Sequence, residues 1–149
     1  MIFSPFTGAL AATLVVGCLA ARPAHAQNQV ANYGFGKPGT AAYEHFSFWT
    51  KDGVRTDIHY AYGKDRQDIP LRYAGRVQDQ AGFRVRFPNG RTLQLVPSGT
   101  SLRVTTKAAA PKVFAWEYEG PVNGVGTACS VCAPDATAAM RLLRTHYLR

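Results

Sequence analysis

The feature that most constrains this chain is a two-residue hydrophobic period running from Tyr43 to Gly120, interrupted at short intervals by turn-forming residues. A period of two belongs to a β-strand, whose successive side chains point to opposite faces. YEHFSFWT (43–50) and VRTDIHYAY (54–62) flank Lys51-Asp52-Gly53, where Asp-Gly tolerates the positive φ of a tight hairpin. DIPLRYAGRVQ (68–78) and GFRVRFP (82–88) follow, and a second hairpin signal, Asn89-Gly90, leads into RTLQLVP (91–97). SLRVTTK (101–107) and KVFAWEYEG (112–120) bring the predicted set to about seven strands. Connections this short favour antiparallel pairing between sequence neighbours, a meander.

After Pro134 the period becomes helical. Ala136, Ala139, Met140, Leu143 and Tyr147 fall on one stripe, which predicts an amphipathic helix over 134–148. Pro134 suits a first helical turn, and Asp135 complements the helix dipole. The expected fold is mostly β: a small antiparallel β-meander, barrel or sandwich, with one C-terminal amphipathic α-helix closing its open face or end.

The alternation also sorts the side chains. The expected core is Phe46, Phe48, Ile58, Tyr60, Tyr62, Leu71, Tyr73, Phe83, Val85, Phe87, Leu93, Leu95, Leu102, Val104, Phe114 and Trp116. Opposite them, Arg72, Arg84, Arg86 and Arg103 come from several strands and could form one basic field, extended by Arg55, Arg91 and Lys107. Guanidinium forks suit phosphate and carboxylate, so such a face could hold an anionic ligand. The competing expectation is a solvated face whose arginines pair across strands with Glu117 and Glu119. Aromatics fall inside rather than among the arginines, which argues against nucleic acid.

The first 26 residues read as a targeting segment. An apolar run from Ala9 to Ala21 is too short to span a bilayer, Pro23 breaks it, and Ala24-His25-Ala26 fits a signal-peptidase site. Val15-Val16-Gly17-Cys18 offers the alternative of lipidation at Cys18, which would anchor an outer-membrane lipoprotein. Both readings export the chain, to the periplasm or beyond. Residues 27–42, rich in Gly, Ala and Asn, read as a flexible leader ahead of a single domain over 43–149. They contain a literal G-x-G-x-x-G at Gly34, Gly36 and Gly39, but neither a strand before it nor a helix after it is expected, as dinucleotide binding requires. Beyond residue 26 there are 16 Lys or Arg against nine Asp or Glu, an excess that favours anionic partners such as lipid head groups, acidic glycans or nucleic acid met outside the cell. The expected partner is an anionic envelope component or another protein.

Cys129-Ser130-Val131-Cys132 raises three chemistries. In an oxidising compartment a local disulfide is the expectation, fixing the joint between the last strand and the helix. A thiol–disulfide oxidoreductase is the alternative, although such C-x-x-C motifs sit in a βαβ setting that this chain lacks. A metal site would need His45, His59 or His146 to join the thiolates, and their spacing matches no metal motif. Neither a cofactor nor a catalytic constellation is expected. Asp57 shares a face with His59 and could orient its imidazole, and Glu117 and Glu119 share a face. Residues 96–104, VPSGTSLRV, resemble the Ser-Gly signature of membrane-bound inhibitors of c-type lysozyme, which are small exported β-barrels. The Trp-x-Lys-Gly element and early barrel cysteine of that family have no counterpart here, and no site residue is carried over. The functional expectation is an exported binding or structural module rather than an enzyme.

Overall fold

The computed structural model describes residues 28–79, 81–118 and 131–149. Eight antiparallel strands form a closed barrel in sequence order: β1 (Gln29–Phe35), β2 (Glu44–Lys51), β3 (Val54–Tyr62), β4 (Gln67–Val77), β5 (Gly82–Arg86), β6 (Thr92–Ser98), β7 (Ser101–Thr105) and β8 (Lys112–Glu117). One helix, α1 (Ala136–Tyr147), follows. The meander is therefore a barrel and not a sandwich. Closure requires β8 to pair with β1, through Asn32–Glu117, Tyr33–Trp116 and Gly34–Ala115.

The strand that closes the barrel lies within the stretch expected to be a flexible leader. In β1, Ala31, Tyr33 and Phe35 point inward while Val30, Asn32 and Gly34 point outward, so the alternation begins before Tyr43. A strand does precede Gly36 and Gly39, but β2 follows them, so the helix N-terminus of a dinucleotide site is missing. Gly36 and Gly39 instead have φ of 82° and 81° in the β1–β2 turn, where a side chain would be strained.

Two hairpins show how local sequence sets geometry. Asp52 and Gly53 both take positive φ, the type I′ pattern whose twist matches the flanking strands. At Pro88-Asn89-Gly90 only Gly90 does. Pro88 fixes a negative φ, Gly90 donates to the Phe87 carbonyl at 3.0 Å, and Phe87 donates to the Arg91 carbonyl at 2.8 Å. This is a type I turn followed by a left-handed glycine, one residue longer than the expected two-residue loop. In β4, the first half pairs with β3 and the second with β5, across an irregularity between Tyr73 and Arg76 that contains Gly75 at φ 94°. The bend lets one strand turn a barrel corner.

The core matches the alternation with three exceptions. Tyr62, at the rim, is 40% exposed, and Tyr73 and Trp116 are only partly buried. Helix α1 plugs one end of the barrel. Its N-cap is Asp135, whose carboxylate accepts from the Ala138 amide at 2.7 Å, so the helix starts two residues later than expected. The fully buried Tyr147 ring meets Phe48, Phe83 and Tyr73, and its hydroxyl donates to the Trp49 carbonyl at 3.0 Å. Tyr73 returns a hydrogen bond to the Tyr147 carbonyl at 3.1 Å. Plug and wall are thus joined by apolar contact and by satisfied polar groups.

Candidate functional site

The four arginines singled out from the sequence are all exposed, three of them on the adjoining strands β4 and β5. Arg72 on β4 stands directly opposite Arg86 on β5, and Arg84 lies two residues along β5 on the same face. Arg103 is on β7, separated from Arg84 by β6 and offset along it, since Arg84 faces Gln94 while Arg103 faces Val96. Arg84 also donates to the Arg76 carbonyl at 3.3 Å. Among the described residues none of these guanidinium groups has an ion-pair partner. Glu117, expected to neutralise them, is committed elsewhere, and Glu119 lies outside the described residues.

The three residues expected to extend this field do not join it. The Arg55 guanidinium lies 3.8 Å from the centre of the Tyr73 ring and 5.9 Å from that of Tyr147, at the plugged end. Arg91 shares the parity of the inward-facing Leu93 and Leu95, and it lies with Lys107 around the mouth at the other end.

A polar network absent from the sequence expectations crosses the closure seam. The Tyr43 hydroxyl donates to Glu117 Oε2 at 2.6 Å, and His45 Nδ1 lies 3.1 Å from the same oxygen. His45 Nε2 is 3.0 Å from Ser47 Oγ, and Ser47 donates to Asn32 Oδ1 at 2.9 Å. Asn32 Nδ2 then donates to Cys132 Sγ at 3.4 Å. Burial raises the Glu117 carboxyl, but hydrogen bonds from His45 and Tyr43 and the charges of His45 and Arg66 outweigh it and hold the group below its ordinary range. Ser47 Oγ, having given its proton to Asn32, faces His45 Nε2 with its lone pairs.

The order carboxylate–imidazole–hydroxyl resembles a nucleophilic triad, but the chemistry differs. The Ser47 proton is directed to Asn32 rather than to His45, and His45 is only 2% exposed. The network instead ties β8, β1 and β2 together where the barrel closes. Beyond Glu117 the seam continues through Val131–Ala133: Val30 donates to the Val131 carbonyl at 2.9 Å and Ala133 to the Val30 carbonyl at 2.8 Å. Cys132 therefore sits at the joint between sheet and helix, while Cys129 and Cys18 lie outside the described residues.

The other titratable expectation is corrected. His59 Nδ1 pairs at 2.7 Å with Asp68 of β4, across the β3–β4 hairpin, rather than with Asp57 on its own strand. Among the described residues no group of three or more His, Cys, Asp or Glu side chains is arranged to hold a metal ion. No helix among them is long and apolar enough to cross a membrane. The chain matches no family model, no curated protein and no solved structure.

Proposed function

We propose that the protein is an exported binding module that engages an acidic envelope component through the Arg72, Arg84, Arg86 and Arg103 face. The observation that carries this reading is the direct opposition of Arg72 and Arg86 without a carboxylate between them. Like charges directly opposite on a sheet destabilise it, and a phosphate or carboxylate bound across the pair would offset that cost. Charged groups on outward strand faces also oppose aggregation, but that role is served equally by alternating signs.

Export follows from the leader over residues 1–26, with the mature chain in the periplasm or outside the cell, or held at the outer membrane by a lipid on Cys18. In such a compartment Cys129 and Cys132 form a disulfide that stiffens the joint beside Asn32. An intact mass two hydrogens below that of the reduced mature chain would report it, together with the cleavage site and any lipid.

The binding reading is tested by cosedimentation with vesicles. Wild type pellets with phosphatidylglycerol-containing vesicles and not with phosphatidylcholine alone, and Arg72→Glu/Arg86→Glu stays in the supernatant. Equal sedimentation of wild type and variant would refute it.

A further inference from the structure

Among the described residues, the end of the barrel opposite α1 holds a cavity, and the inward side chains change character there. Deeper in the lumen they are Phe46, Phe114, Leu95 and Leu102, all fully buried. At the mouth, the parity that places Phe46 and Phe114 inside places Glu44 and Lys112 inside as well. These two form an ion pair, and the Lys112 ammonium also lies 5.2 Å from the centre of the Phe35 ring. A cavity of about 660 Å³ lies here, walled by Tyr60, Leu93 and Val104 and edged by Arg91 and Lys107. A smaller cavity of about 280 Å³ adjoins it, sharing Tyr60 and Arg91 and adding Phe87 and Ile69.

The volume lies in the range of small-molecule sites, and the mouth of a β-barrel is a usual place for one. Charge then selects the ligand. Glu44 neutralises Lys112, whereas Arg91 and Lys107 have no carboxylate partner among the described residues. The Arg91 guanidinium lies 4.2 Å from the centre of the Phe87 ring, a contact that leaves the edges of its planar fork available for bonding. Tyr60 supplies a hydroxyl at the wall. Burial and then the Glu44 carboxylate push its ionisation above the ordinary tyrosine range, so it remains a neutral hydrogen-bonding group.

We infer that the barrel mouth binds one small amphipathic anion, an aliphatic chain ending in a single acidic group. The chain lies against Tyr60, Leu93 and Val104, and the acidic group meets Arg91 and Lys107. This site is separate from the outward arginine face, which is formed by the opposite side of the wall.

Isothermal titration of the purified protein with decanoate, its neutral isostere decanol and the short anion butyrate tests this. Decanoate binds saturably at one site, while decanol and butyrate each bind roughly tenfold or more weakly, as expected when a charge-assisted contact or the apolar burial is lost. Arg91→Gln and, separately, Lys107→Gln on the exposed loop weaken decanoate and leave decanol unchanged, whereas Val104→Phe blocks both. Arg72→Glu/Arg86→Glu leaves decanoate binding intact, so failure here is distinguishable from failure of the basic face. Absence of saturable decanoate binding, equal affinity for decanol, or indifference to both charge-removing variants would overturn the inference.

Discussion

Gly34 and Glu117 occupy one volume between them: a Cβ on Gly34 would fall 2.0 Å from Glu117 Oε1. The glycine of β1 is therefore the seat of the carboxylate that β8 contributes to the seam. The atoms nearest to a side chain at position 34 are the far end of the flexible Glu117 side chain rather than backbone.

Gly34→Ala should accordingly leave the barrel folded but drive Glu117 away from Tyr43 and His45. Leaving buried polar groups without partners costs about 1–3 kcal/mol, and urea unfolding should show a loss of that size. In a Glu117→Ala background the same substitution should cost almost nothing. Equal losses in the two backgrounds would separate Gly34 from the network.

The pH dependence of stability follows from Glu117. Its folded carboxyl is held below the ordinary value of 4.5, so the folded protein gives up that proton more readily than the unfolded chain. The contribution is fully present above the unfolded value and is lost as pH falls through the lower folded one. Thermal midpoints of wild type should therefore fall more steeply than those of Glu117→Gln from pH 4.5 downward, with the curves converging in acid. Parallel curves would mean that the network does not select the ionised carboxylate.

Tyr33 tests the lumen. Its hydroxyl is buried and, among the described residues, has no hydrogen-bond partner. Burial raises its ionisation well above the ordinary range, opposed by the charge of Arg144, so the group stays neutral. Tyr33→Phe should be neutral or stabilising by up to about 1 kcal/mol, because it removes an unpaired polar atom at little change of shape. A clear loss of stability on denaturant titration would show that the hydroxyl is bonded.

The meander and helix were legible because their signals are local: alternation, Asp52-Gly53, the Pro134 break. The closing strand was not. In QVANYGF the inward Ala31, Tyr33 and Phe35 do alternate with Asn32 and Gly34, but two of the smallest residues hide the pattern. Gly34 is small because Glu117 needs the space, a requirement set 83 positions away that no local window contains. Without β1 the partners of His45 and Ser47 could not be placed, and the seam network stayed hidden. Arg91 illustrates the opposite failure. Its parity with Leu93 and Leu95 points into the lumen, yet a positive charge read alone suggests the outer face.

The most direct test of the basic face is the ionic-strength dependence of binding to phosphatidylglycerol vesicles, measured for wild type and for Arg72→Glu/Arg86→Glu. Contacts between exposed charges are screened as the Debye length shrinks to roughly 10 Å near 0.1 M salt. Wild-type affinity should fall steeply as salt rises, and the variant should bind weakly at every salt concentration with a shallower slope. Wild-type binding that is insensitive to salt, or a variant that follows the wild-type curve, would contradict recognition through this face.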